Sequence, residues 1–268
     1  MHLTVTIVVV GTLAAAIFGI SKSAVPAVGS FGAALLATVL PPVASTGVVL
    51  PVLIVGDLIA LGMYARHIEV RVLLRLLPAV SVGLALGYWT VRSASSGTSA
   101  RVIGVLLLVS GLGELLRRRR ATAAAASARA TRTVSAGAAA GPAQATTAPA
   151  DRSPVSIALG AGAGFSTMVA NAGGPMMTLY LLRLGVTQRA FLGTVAWFFF
   201  VVNVLKVPLS IGLGLITPAS LVISAVLVPG IVVGALVGQR LAATMSPEVF
   251  ATVALVATSA AGLWLVVA

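Results

Sequence analysis

Runs of apolar residues close to or beyond the roughly 20 residues needed to cross a bilayer constrain this chain more than any other feature. Val43 to Ala65, about Val72 to Trp89, Phe191 to Ile211, Ala219 to Val237 and Val249 to Val267 each carry at most one formal charge. The 268 residues are 59% hydrophobic and 8% charged, with mean hydropathy +1.12. A polytopic helical membrane protein follows, with the lipid bilayer as its solvent. The formal charge of +12 comes almost wholly from arginines near the ends of apolar runs. That placement marks cytoplasmic loops rather than a nucleic-acid surface. With no cysteine, the chain has no disulfide framework, thiolate metal site or thiol nucleophile.

Two short stretches interrupt this pattern. Leu3 to Ile20 is apolar, lacks a leading Lys or Arg, and reads as a retained membrane segment rather than a cleaved signal. It is broken by SKSAVP, Ser21 to Pro26, before a short apolar helix from Ala27 to Leu40 that Pro41 and Pro42 end. In the second half Val155 to Ala170 is broken by NAGGP, and Met176 to Leu184 forms another short helix. Between the halves, a span is expected at Val102 to Leu116, stopped by Arg117 to Arg120, and the Ala/Thr/Ser/Arg-rich stretch to Arg152 is low in complexity. The expected organisation is a first transmembrane repeat over 1–117, a flexible basic cytoplasmic loop over 118–152, and a second repeat over 153–268. Ala44, Gly47 and Asp57 match Ala190, Gly193 and Asn203 at one offset, and Pro78, Gly83, Gly87, Gly111 and Leu112 match Pro229, Gly234, Gly238, Gly262 and Leu263 at a slightly longer one. Their shared order supports an internal duplication.

Charge placement then bears on topology. Were the segment between Asp151 and Arg189 a single crossing, Arg183, Arg189 and Arg240 would all lie outside. Should it enter and turn back, they become cytoplasmic and the uncharged Leu215 to Ala219 turn becomes external, as the positive-inside tendency favours. Val155 to Leu184 as one straight helix would extend about 45 Å, against a hydrocarbon core of about 30 Å. A hairpin plus three spans per half is an odd number of crossings, which would invert the halves. Kinked single crossings with parallel repeats are the alternative. The fold class expected is therefore all-α: a transmembrane bundle of two repeated halves, each with a broken or re-entrant segment plus three spans.

The breaks also have an electrostatic meaning. Pro26 and Pro175 mark helix starts, where unpaired N–H groups and partial positive charge bind anions. Around them stand Ser21, Lys22 and Ser23 in one half, and Thr167, Asn171, Gly173 and Gly174 in the other. Asn203 and Lys206, three residues apart, share a helical face. Together these are the candidate substrate-binding residues, and they describe a cationic, donor-rich site for a small oxyanion. Asp57, an acid well inside an apolar run, is the candidate for proton coupling, with a structural ion pair as its other reading. Lys206 could be that pair's cation or a second anion ligand. The plainer readings are that Gly173 and Gly174 allow close helix packing, Asn171 satisfies freed backbone and Lys22 snorkels. Trp197 to Phe200 reads as lipid-facing or packing surface, and Arg117 to Arg120 as a membrane-end anchor. No metal site, cofactor or nucleotide loop is expected, and the absence of a His/Glu pair within a span or a Ser–His arrangement argues against an enzyme.

The segments FSTMVANAGGPMMTLYLLRLGV and FLGTVAWFFFVVNVLKVP, with SKSAVPAVGSFG and LPPVASTGVVLPVLIVGDLIALGMYARH in the first half, resemble the TauE/SafE sulfite exporter family of bacterial permeases. That family would carry a K-T-G-x-P-G break, matched here by Lys22 and Pro26 but with Ser23, Ala24 and Ala27 replacing Thr and the glycines. The resemblance implies a secondary transporter in the bacterial cytoplasmic membrane, usually an exporter, for sulfite or an organosulfonate. An anion channel using the same donors, or a permease for another small organic anion, is the alternative.

Overall fold

The computed structural model describes residues 4–40, 42–93 and 153–267, and among these are nine α-helices and no strand. The span expected at Val102 to Leu116, Arg117 to Arg120 and the loop to Arg152 lie outside the described residues. The first half holds α1 (Val5–Ser23), a 3-10 turn (Pro26–Val28), α2 (Gly29–Ala37), α3 (Pro42–Tyr64), a second 3-10 turn (Ala65–His67) and α4 (Val70–Ser93). The second holds α5 (Pro154–Ala170), α6 (Gly174–Leu184), α7 (Gln188–Gly212), α8 (Pro218–Thr244) and α9 (Pro247–Val267). Five helices, α1, α3, α4, α7 and α8, are long and apolar enough to cross a membrane.

Local chemistry sets the helix ends. α5 and α8 begin at Ser-Pro and Thr-Pro pairs: Ser153 and Thr217 accept first-turn N–H groups, and the following proline has none to leave unpaired. Thr217 and Ser220 also form a reciprocal capping box. Gly185 (φ 66°) and Gly214 (φ 69°) end α6 and the turn after α7 in the left-handed region, where a Cβ is strained.

Close contacts give the helix directions. Along α1, Gly11, Thr12, Ala16 and Ile20 meet Leu227, Gly230, Gly234 and Gly238 of α8 in that order, so the two helices run parallel. Along α4, Leu76, Val80 and Gly87 meet Gly160, Gly164 and Met168 of α5, again parallel. A Cβ added at Gly19 or Gly234, or at Gly83 or Gly164, would collide with a carbonyl of the facing helix, so both crossings are backbone to backbone. Each half thus lends its broken helix to the other.

Both broken helices fold back. Gly29 lies on Phe18 and Ser21, and Gly32 on Ala14 and Ile17, so α2 retraces α1. Gly173 lies on Ala163 and Thr167, and Met176 reaches Gly162, so α6 retraces α5. The start of α7 packs by Gly193 against Tyr64 and His67 at the end of α3. One end of the bundle therefore gathers Arg66, Arg71, Arg183, Arg189 and Arg240, and the other holds the uncharged turn from Leu215 to Ala219. α1–α2 enters from the second end and α5–α6 from the first.

Burial follows the bilayer pattern. Large apolar side chains such as Leu74, Val82, Leu86, Val222 and Val233 are exposed, whereas Lys22, Asp57, Asn203 and Lys206 are buried. In water that arrangement would be costly; in lipid the exposed apolar faces are solvated and the polar groups are sequestered.

Candidate anion site

Why the chain breaks at these points is chemical. α1 stops because Pro26 cannot donate an N–H and Ala24 leaves helical geometry (φ −131°, ψ −79°). α5 stops because Asn171 sits at φ 52°, ψ 28°, a left-handed conformation that Asn tolerates better than other residues with a Cβ. Its N–H bonds Thr167 O (3.1 Å), and Ala172 N–H bonds Ser166 O (3.2 Å), closing the helix end. The two breaks touch: Gly174 lies against the Pro26 carbonyl so closely that a Cβ would collide with it.

Three buried charges surround this junction. Lys22 Nζ, on the last turn of α1, is 2.7 Å from Asp57 Oδ1 in the middle of α3. Asn203 Nδ2 donates to Asp57 Oδ2 at 2.6 Å. Lys206, one turn along α7 from Asn203, donates to Thr167 O and to Asn171 Oδ1, both at 2.6 Å. Lys22 also sits 4.2 Å from the centre of the Phe199 ring, a cation–π contact. Lys22 is 6% exposed, Asp57 and Asn203 0%, and Lys206 1%. With both lysines protonated, two ammonium groups face one carboxylate and the cluster carries one uncompensated positive charge in low dielectric.

The candidate residues divide in two. Lys22, Asp57, Asn203, Lys206, Thr167 and Asn171 form one hydrogen-bonded constellation across the halves, with Gly173 and Gly174 at the start of α6 beside it. Ser21 and Ser23 are buried in the first break, but their hydroxyl protons are committed to Pro26 O (2.9 Å) and Gly19 O (3.0 Å). They hold the turn and have no proton left for an anion. The ion pair to Asp57 is made by Lys22; Lys206 bonds only neutral oxygens among its hydrogen-bond partners.

Some groups at the site were not singled out from sequence. Phe199 belongs to an aromatic block whose plain reading is packing, yet it shares a face with Asn203 and Lys206 at i+4 and i+7, a spacing that was visible. Tyr64 donates to Ser23 O at 3.1 Å, and no sequence signal marks that bond. Ser30 Oγ, Thr178 Oγ1 and Asn203 Oδ1 are buried without a hydrogen-bond partner. Ser30 is the second residue of α2 and Thr178 the fifth of α6, so each short helix carries an unpaired hydroxyl in its first half.

A family profile described as Sulfite exporter TauE/SafE matches residues 4–265 of the chain. The chain belongs to the TauE/SafE family. It is thus a membrane transporter of the sulfite-exporter type, for which a small anion is the expected cargo. No curated protein and no solved structure gives a significant match.

Proposed function

We propose that this chain is a multi-pass secondary exporter of a sulfur oxyanion such as sulfite, or of an organosulfonate, across the bacterial cytoplasmic membrane. Its halves are inverted repeats whose re-entrant segments meet at the binding site. The observation that carries this reading is Lys206, only 1% exposed and hydrogen-bonded to two neutral oxygens. A buried ammonium without a carboxylate is costly, and an anion at the cluster would offset that cost. The arginine-bearing end is cytoplasmic by the positive-inside tendency.

Lys206, Lys22, Asn171 and the opening turn of α6 at Gly173 and Gly174 bind the anion, with Thr167 O orienting Lys206 and Asn203 orienting Asp57, the partner of Lys22. Asp57 couples transport to protons: a proton on its carboxylate cancels the charge that holds Lys22 and frees that ammonium for the anion. The anion's departure and deprotonation restore the pair.

The test is sulfite counterflow in proteoliposomes. Losing a charge-assisted bond worth about 1.5–3 kcal/mol should weaken apparent affinity roughly 10–100-fold in Lys206→Met. Unchanged affinity in Lys22→Ala, Asn171→Ala and Lys206→Ala together overturns the site. Flux without counterflow would mark a channel, and an Asp57→Asn protein with normal rate and normal pH dependence would remove the proton role.

A further inference from the structure

A second polar feature lies nearer the surface. At the arginine-bearing end, a cavity of about 360 Å³ opens between the end of α3, the start of α7 and the end of α8. Tyr64, Gln188, Arg189, Leu192, Gln239 and Met245 are among the residues that line it, and none of its lining residues is acidic. Its walls are tied together, because Gln188 Nε2 donates to Ala242 O at 2.8 Å. Tyr64 bridges the cavity and the first break: its hydroxyl donates to Ser23 O at 3.1 Å, and Ser23 directly follows Lys22. Gly193 packs against Tyr64 O, which holds the tyrosine backbone in place.

We propose that this cavity is a capture subsite for the transported oxyanion, held by Arg189 and the two glutamine amides, and that Tyr64 is the gate between it and Lys22. The inference rests on the anion-exporter reading and adds the place where cargo is first held. A guanidinium and two amides form a donor set suited to oxyanions. A single-sign cleft also concentrates anions at its mouth. An anion leaving it for the central cluster passes Tyr64, whose bond to Ser23 O must open.

The chain contains no cysteine, so single cysteines can report directly. Ala243, exposed at the cavity edge, is replaced in the full chain by Ala243→Cys. Its reaction rates with the anionic sulfonatoethyl and the cationic trimethylammonioethyl methanethiosulfonates are then compared in proteoliposomes. The anionic-to-cationic rate ratio should exceed that of a free thiol by roughly ten-fold and fall most of the way back in Arg189→Gln. The sulfonatoethyl adduct should also block counterflow. A ratio like that of a free thiol, or one indifferent to Arg189→Gln, overturns the subsite. For the gate, Tyr64→Phe should speed modification of Ser23→Cys several-fold, and an unchanged rate removes that role. The ratio is read without transport. A Lys206→Met protein that keeps both the ratio and wild-type sulfite affinity overturns the central site alone; a ratio equal to that of a free thiol, in a chain whose affinity does fall in Lys206→Met, overturns the cavity alone.

Discussion

The Lys22–Asp57 pair makes a prediction whose size follows from the geometry. Asp57→Asn removes the carboxylate charge but keeps the shape, leaving Lys22 buried with the Phe199 ring at 4.2 Å as a surviving partner. Breaking a buried pair from one side costs about 3–5 kcal/mol; the ring contact is present before and after and leaves that loss unchanged. A loss of about 3–5 kcal/mol corresponds to on the order of 6–20 °C in unfolding midpoint if a soluble chain of this size is a guide. Lys22→Met with Asp57→Asn removes both charges and leaves a residue of similar length against Phe199, so the double variant should lie within about 1 kcal/mol of wild type. Lys22→Met alone strands the carboxylate and should be as unstable as Asp57→Asn.

Thermal unfolding in detergent, followed by tryptophan fluorescence and size-exclusion elution, gives all corners of this cycle. An added oxyanion sharpens it. Asp57→Asn raises the uncompensated charge of the cluster from one to two, so sulfite should stabilise this variant by more than it stabilises wild type. A double variant destabilised by the sum of the two single losses, a coupling below about 1 kcal/mol, would show that the pair is not what the fold depends on. An Asp57→Asn protein stabilised by sulfite no more than wild type would show that Lys22 does not reach the anion.

Two further substitutions separate backbone from chemistry. Asn171→Gly and Asn171→Ala both remove the amide that accepts from Lys206, but only Ala is strained at φ 52°; binding should fall equally in both, while Ala unfolds with about 1 kcal/mol less stability than Gly, readable in a binding titration and a melt on the same samples. At the helix crossings, Gly83→Val and Gly234→Val force side chains into facing carbonyls and should each cost more than about 3 kcal/mol, seen as loss of monodisperse protein. Gly62→Ala, which meets nothing within 4 Å, should be neutral or gain about 0.5–1 kcal/mol.

The fold was legible where the bilayer dictates it. Long apolar runs, Ser/Thr-Pro starts and the breaks at Pro26 and Asn171 to Pro175 are local signals, and a helix in lipid has few alternatives. Arginine placement reported which end the second break enters from, because Arg183, Arg189 and Arg240 constrain it jointly. Register between helices was not legible. Lys22 finds Asp57 rather than Lys206 doing so because α1 is slid along α8 until Gly19 meets Ile231 and Gly238 meets Ile20. No spacing within one segment encodes that slide. For Phe199 the face shared with Asn203 and Lys206 was legible, but that its ring meets Lys22 is decided by the neighbouring helix.

The mismatch between the halves accounts for the site's charge. Asp57 and Asn203 fall at matching positions under the proposed duplication, and they bond each other, Nδ2 to Oδ2 at 2.6 Å. Had both been aspartates, two carboxylates would face each other across the junction, and Lys22 and Lys206 would serve only to neutralise them. With asparagine at 203, the contact survives as a hydrogen bond, one carboxylate holds one lysine, and Lys206 is left on Thr167 O and Asn171 Oδ1. A fully paired junction would hold the helices together equally well and would offer an anion nothing. Under the proposed function, one amide in place of one acid turns a structural contact into a binding site, supplied from the arginine-bearing end.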